Sequence, residues 1–342
     1  MNKVRVGIIG ATGYAGEELI RILLHHPKVE LNYLSAKIDK PTEISQIFPQ
    51  FKKRVDLICE ELDLEKLDKF CEVVFLATPH GFSYSLVPEL LKKKKKVIDL
   101  SADFRLKEPS LYKKWYNFEH REKGLLEKAV YGLPEIYREK IRNAPLIANP
   151  GCYPTGVILA VFPLIKNNFL KENIVLIDTK SGATGAGRNL RPDLIFNEVN
   201  ESIRVYKVNT HQHIPEIEQE LSFLGKRKIK VIFVPHLLPI SRGILSCIYL
   251  RLNKKISNKE LISLYKDFYK NEPFVRILEE RNFPQLKSVQ YTNYCDIGLT
   301  VDEETNLAII VSAIDNLGKG ASGQAVQNLN IMLNWEETLG LI

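Results

Sequence analysis

Val4-Arg5-Val6-Gly7-Ile8-Ile9, followed at once by Gly10-Ala11-Thr12-Gly13-Tyr14-Ala15-Gly16, is the stretch from which the fold is read. The first six residues are an apolar run of strand length. Ala15, Leu19, Ile22 and Leu23 then recur at helical spacing. Strand, glycine turn and helix in that order form a phosphate-binding turn, with the anion on the N–H groups and positive dipole end of the helix. The spacing Gly-x-x-Gly-x-x-Gly is looser than G-x-G-x-x-G, so the flanking strand and helix carry much of the assignment. Gly10, Thr12, Gly13, Tyr14, Ala15 and Gly16 are therefore candidate dinucleotide contacts. The second strand is expected at 29–34. An NAD site would place a carboxylate at its end, on the ribose diol. Ser35-Ala36-Lys37 stands there instead, and the first acid is Asp39. A hydroxyl and a cation suit a 2′-phosphate, so Ser35 and Lys37 favour NADP(H).

Working outward, strands are expected at 73–77, at 97–100 and just before Cys152, which gives a doubly wound, parallel first domain. The pattern then changes. Strands are expected at 174–179, 204–209, 229–237, 244–252 and 308–313, with helices at 215–224, 258–270 and 321–333. These predict a mixed or antiparallel sheet with helices on one face. The fold class is thus α/β, a Rossmann doubly wound domain plus an α+β second domain. The expected boundaries are 1–148 with 318–342 for the first domain and 149–317 for the second. The Lys92 to Lys96 run reads as a solvated helix end, and 108–142, rich in Lys, Glu and Tyr, as irregular or helical surface between sheet segments.

Asn149-Pro150-Gly151-Cys152-Tyr153-Pro154-Thr155-Gly156 follows an apolar run and leads into a helical one. Cys152 is thereby placed at a helix N-terminus, where exposed N–H groups and the dipole favour a thiolate, the nucleophile of covalent acyl chemistry. At the expected domain boundary it suits a cleft. A base is available in Thr210-His211-Gln212-His213-Ile214-Pro215-Glu216, just ahead of a helix with Pro215 in its first turn. In an extended chain His211 and His213 point to one face. His236 sits in an apolar stretch and reads as structural. Lys180 to Arg188 and Asn316 to Gln324 are further glycine-bearing turns. In them Ser181, Gly182 and Asn316 are candidate cofactor contacts, and Lys180 and Arg188 candidate anion holders. Arg105, in Ser101-Ala102-Asp103-Phe104-Arg105, is a third candidate for a carboxylate or phosphate.

The 342 residues allow two domains, and the formal charge of +7 is compatible with anionic substrates without requiring nucleic acid. Five scattered cysteines with no C-x-x-C pair suit a reducing cytosol and argue against structural zinc. The chain opens on a strand rather than a signal peptide, and no apolar run reaches the ~18 residues of a membrane span. A cytoplasmic homo-oligomer acting on a small molecule, with no nucleic acid and no membrane partner, is expected.

In their order, Gly10 to Gly16, the Ser101 to Arg105 segment, Asn149 to Gly156, Lys180 to Arg188, His211 to Glu216, Pro235 to Gly243 and Asp315 to Gln324 resemble the N-acetyl-gamma-glutamyl-phosphate reductases of arginine biosynthesis, over essentially the whole chain. Gln212 stands where the resemblance leads one to expect Arg. The resemblance implies an NADP-binding Rossmann domain, a catalytic domain of the dehydrogenase type and a closing helix that packs back on the first domain. It also implies a Cys152 thioester formed from an acyl phosphate and reduced by NADPH. His213 is the first choice for acid/base and His211 the second. Aspartate-semialdehyde or carrier-linked aminoadipyl-phosphate reduction, a non-catalytic NADP sensor, and a zinc enzyme built on His211 and His213 are the alternatives.

Overall fold

The computed structural model describes residues 3–342. Its strands are β1 Val4–Ile9, β2 Val29–Ser35, β3 Thr42–Glu43, β4 Ile58–Glu60, β5 Val73–Leu76, β6 Lys96–Asp99, β7 Val130–Tyr131, β8 Leu146–Ala148, β9 Ile174–Ser181, β10 Arg204–Val205, β11 Lys230–Leu237, β12 Ile244–Arg251, β13 Val275–Ile277, β14 Cys295–Asp302 and β15 Leu307–Ile314. Its helices are α1 Tyr14–Leu23, α2 Ile44–Ile47, α3 Leu64–Phe70, α4 Ser83–Lys92, α5 Ser110–Tyr116, α6 Lys123–Lys128, α7 Pro134–Ile141, α8 Cys152–Lys166, α9 Phe196–Val199, α10 Ile214–Gly225, α11 Asn258–Tyr269 and α12 Gly323–Met332. The chain divides into two compact units. One runs up to Pro150 and resumes at Ala321–Ile342, and the other is Gly151–Gly320.

The first unit carries an eight-stranded sheet in the order β3-β4-β2-β1-β5-β6-β8-β7. Every pairing is parallel except β3 with β4. A parallel sheet is covered on both faces, so its strands are apolar without alternation, and all four residues of β5 are buried. Val6 and Ile8 of β1 pack with Leu19, Leu23, Val326 and Leu329 of α1 and α12, whereas Val74 and Leu76 of β5 pack with Val87 and Leu90 of α4. Residues 108–142, expected as irregular or helical surface, form the helices α5, α6 and α7 with the short β7, but bury Tyr112 and Leu126 completely. Their apolar positions are sparse and hidden among charges.

The second unit carries a seven-stranded mixed sheet, β10-β11-β9-β12-β15-β14-β13, parallel only at β11–β9 and β13–β14. Period-two burial along β9 turns Val175, Ile177, Thr179 and Ser181 inward and leaves Leu176, Asp178 and Lys180 on the other face. Helix α8 is buried on every side from Tyr153 to Ile165, as befits a central helix. Its Pro163 lacks the N–H that would satisfy the Leu159 carbonyl, and the Tyr269 hydroxyl of α11 donates to that oxygen instead, at 2.5 Å. The strand expected at 204–209 stops at Val205, because Lys207 and Asn209 take left-handed backbone angles, φ 43° and 52°.

Candidate active site

Cys152 is the first residue of α8, after Gly151, and no side chain caps that helix end. Its thiol is half-buried, whereas Cys59, Cys71 and Cys295 are buried. Burial pushes Cys59 up to about 11 and Cys71 to about 12. Burial also raises Cys247, against a smaller opposing effect of the Lys180 charge. The turn ahead of Cys152 is held from α10. The Gly151 N–H donates to Glu216 Oε1 at 2.8 Å, and Glu216 is fully buried. Gly320 lies against the thiol residue, where a Cβ would stand 2.9 Å from Cys152 Cβ, so only glycine lets the chain come this close.

The two histidines are brought together, though not by an extended chain. His213 has helical backbone angles, φ −79° and ψ −11°. Its N–H donates to His211 Nδ1 at 3.1 Å, and the rings lie 4.8 Å apart. Tyr153, next to Cys152, meets His211 at 5.3 Å and His213 at 5.8 Å, both edge-on. Its hydroxyl shares a 2.7 Å hydrogen bond with that of Tyr206. Burial first, then the Lys207 charge, push His211 down to about 3. With Nδ1 accepting a backbone proton, neutral His211 carries its own proton on Nε2.

Lys180, Ser181, Gly182 and Asn316 lie in the same unit. Lys180 is on the face of β9 opposite the one α8 covers and pairs with Asp178, which withdraws it from the Cys152 side. Gly182 was expected to let backbone approach a ligand. The close neighbour is the chain itself, since a Cβ there would stand 2.6 Å from the Ser241 carbonyl oxygen. Ser181 Oγ donates to the Gly182 carbonyl, and Asn316 is spent on Gly243 N–H at 2.7 Å and Thr184 Oγ1 at 2.9 Å. Ser181, Gly182 and Asn316 thus hold the turn together. Arg188 lies exposed beyond this loop, and His236 sits on β11 beside Asp178.

In the first unit Gly10 takes φ 89°, and a Cβ there would meet the Ala77 carbonyl oxygen at 2.2 Å. Gly13 caps α1 with no side-chain hydrogen bond, and a Cβ on it would find only the Gly10 oxygen at 3.5 Å. An open helix N-terminus on a glycine turn fits a dinucleotide pyrophosphate held by Gly10 to Gly16. Ser35 is enclosed at 1% exposure and its carbonyl takes the N–H groups of Gly10 and Ala11, so of the ribose-side pair only Lys37 reaches solvent. Arg105 is 5% exposed and donates to the carbonyls of Asn149 and Leu100, both at 2.7 Å. It braces the main chain that leads to Cys152.

Glu216, Tyr153, Tyr206 and Lys207 belong to the site and were not singled out. Glu216 and Tyr153 lie inside motifs read for their Cys and His. Tyr206 and Lys207 were concealed by the strand expected over them.

Two family profiles match the chain: "Semialdehyde dehydrogenase, NAD binding domain" over residues 5–144 and "Semialdehyde dehydrogenase, dimerisation domain" over 152–316. A protein of Thermoanaerobacter pseudethanolicus, N-acetyl-gamma-glutamyl-phosphate reductase by name, is 49% identical over 99% of this chain and 98% of its own. Proteins of the same name from Alkaliphilus metalliredigens and Campylobacter jejuni subsp. doylei are 47% and 46% identical over the same shares. Among solved structures, aspartate semialdehyde dehydrogenase II of Vibrio cholerae, complexed with ASA, superposes with a TM-score of 0.72 at 16% identity, covering 97% of this chain and 98% of that one. Aspartate semialdehyde dehydrogenase of Candida albicans, solved with NADP, gives 0.71 at 16% identity over 96% and 98%. At these identities the two structures bear on the fold alone.

Proposed function

The chain belongs to the semialdehyde dehydrogenase family, among its N-acetyl-gamma-glutamyl-phosphate reductases, and from that premise we propose how its residues reduce N-acetyl-L-glutamyl 5-phosphate to N-acetyl-L-glutamate 5-semialdehyde. The observation that carries the proposal is Tyr153, which joins the Cys152 turn to both imidazoles.

Cys152 attacks the acyl carbon and the C–O bond to phosphate breaks, leaving a thioester. His213 takes the thiol proton beforehand and returns it to the acyl oxygen when that oxygen becomes an alkoxide. His211, held near 3, is too weak a base for this and serves as an Nε2–H donor to substrate. Glu216 and Arg105 keep the turn in place through Gly151 N–H and the Asn149 carbonyl. A nicotinamide, when bound, supplies the hydride that reduces the thioester. The Cys152 thiolate then leaves as His213 takes the hydroxyl proton back, the carbonyl re-forms and the semialdehyde is released. Gly10 to Gly16 hold the pyrophosphate, and Lys37, with no acid at the end of β2, favours NADP(H). The first unit is thus the dinucleotide-binding domain and the second the catalytic domain. A homo-oligomer assembled through the second unit agrees with the matched profile's name, and the proposed setting is the cytoplasm.

The test is phosphate-dependent reduction of NADP by three aldehydes: N-acetyl-glutamate, aspartate and aminoadipate semialdehyde. The first should react at least ~10-fold faster than the others, because a methylene or an amide misplaced in a fitted pocket costs about that much. Cys152→Ser should abolish turnover while NADPH still binds. Activity of that variant within tenfold of wild type would refute the mechanism.

A further inference from the structure

The proposed substrate brings a phosphate and a carboxylate, yet two of the cations read from the sequence are turned to other work. Lys180 pairs with Asp178, and Arg105 donates to main-chain carbonyls. Arg191 and Arg204, on the same excursion, both pair with Asp193. Lys207 differs from these. Its Nζ donates to the neutral amide oxygen Gln212 Oε1 at 2.8 Å, and among the described residues no carboxylate is paired with it.

Its position is built rather than incidental. On either side the chain is pinned to β11, by Tyr206 N–H to the Pro235 carbonyl at 3.0 Å and Asn209 N–H to the Phe233 carbonyl at 2.9 Å. Between those pins Lys207 holds a left-handed backbone angle, φ 43°, and its carbonyl accepts the Thr210 N–H at 3.0 Å. Lysine has no preference for that region, so the turn is held by its surroundings. Tyr206 contacts Tyr153, Gln212 lies between the two histidines, and the Lys207 charge reaches His211 strongly enough to lower its proton affinity. The side chain is exposed, yet partial desolvation, and then the Arg191 charge, lower its own pKa.

We propose that Lys207, oriented by Gln212, is the cation that receives an oxyanion of the acyl substrate beside the His211–His213 pair. This rests on the reductase reading above and assigns the anion contact that reading leaves open. The oxyanion is either the transferred phosphate or the carboxylate of the acyl chain, and kinetics of the reverse direction tell them apart. There the aldehyde, inorganic phosphate and NADP are separate reactants.

The experiment is steady-state kinetics of Lys207→Met and Lys207→Arg in that direction. A charge-assisted bond of the usual strength corresponds to a rise of about 10-fold or more in KM. A rise confined to phosphate in Lys207→Met assigns the phosphate, and a rise confined to the semialdehyde assigns the carboxylate. Lys207→Arg should recover most of either. A second readout is the His211 titration followed by NMR, which should move up in Lys207→Met. Unchanged KM values for both reactants in a folded Lys207→Met would overturn the proposal. A wild-type protein inactive with N-acetyl-glutamate semialdehyde would instead overturn the reductase reading, and the NMR shift would still report the Lys207–His211 contact.

Discussion

Five thiols compete for an electrophile in this chain, and burial decides among them. Cys59 and Cys71, at about 11 and about 12, carry almost no thiolate near neutral pH, and Cys247 is raised as well. Cys152 alone opens a helix, where the dipole favours its anion. Iodoacetamide at neutral pH is expected to label Cys152 first, and peptide mapping reads the order. The imidazoles are separated by a second measurement. His213→Asn should slow acylation by about 10²- to 10⁴-fold, the usual worth of general acid–base catalysis, and raise the pH at which Cys152 is alkylated. His211→Asn should chiefly weaken substrate binding, because a group near 3 accepts no proton at working pH. A shifted alkylation profile in His211→Asn alone would reverse the two roles. The places of Cys152 and the histidine pair were legible because each sits in a short, distinctive motif. Lys180 misled, since its motif shows a cation near a glycine turn but not that strand alternation faces it away from α8.

Between elements, the Gly151–Glu216 hydrogen bond joins the first turns of α8 and α10. It explains why a Pro-Gly-Cys turn and a His-x-His-Ile-Pro-Glu segment work as one site. Removing a carboxylate that accepts a buried N–H costs about 1.5–3 kcal/mol and leaves that N–H unpaired. Glu216→Ala is therefore expected to lower kcat and slow Cys152 alkylation together, whereas Glu216→Gln, whose side-chain oxygen still accepts, should keep most of both. Equal losses in the two variants would mean that charge, not the hydrogen bond, matters. Most element positions were readable from periodicity. β1 falls on the expected residues, and α10 and α11 differ from expectation by a residue at one end or both. Those that escaped are short or locally atypical. β3 and β13 have two and three residues, and β14 is interrupted by Gly298, which lacks strand propensity. The turn at Lys207 escaped because positive φ in a lysine has no sequence signature.

At the scale of the whole molecule, buried titratable groups set an acid limit. His120 and His211 are pushed down to about 4 and about 3, mainly by burial. Unfolding frees them to protonate near 6.5, so the stability they contribute is present above that pH and is lost as pH falls toward 4. Asp99 opposes them. Burial first, and Asp103 second, raise it to about 7, so its contribution is present at low pH and is lost as pH rises through 7. His26 is shifted in the sense of the histidines and Asp103 in the sense of Asp99. Three lowered histidines against two raised carboxyls leave stability falling on acidification between about pH 6 and pH 4.5. Urea unfolding across that range measures it, and His120→Phe is expected to flatten the slope. A stability that rises on acidification would contradict the burial of these histidines. The division into a parallel unit and a mixed-sheet unit was visible in the change of strand pattern near Cys152. The polar interior of α12, where Gln324, Gln327, Asn328 and Asn330 are wholly buried, was not, because amide-rich helices usually read as surface.

Because α12 completes the core around Val6 and Ile8, the order in which a ribosome makes this chain and the order in which it folds diverge. The parallel sheet emerges first but waits while Gly151–Gly320 is synthesised, about 10–30 s at usual elongation rates of about 5–20 residues per second. During that interval Val6, Ile8, Leu19 and Leu23 lack the cover of Val326, Leu329 and Met332, and the Gly132 carbonyl lacks the amides of Gln324 and Asn328. Nascent chains stalled before Ala321 are expected to be protease-sensitive in the first unit and to engage chaperones, while Gly151–Gly320 already resists digestion. Chains extended through Ile342 should become resistant throughout.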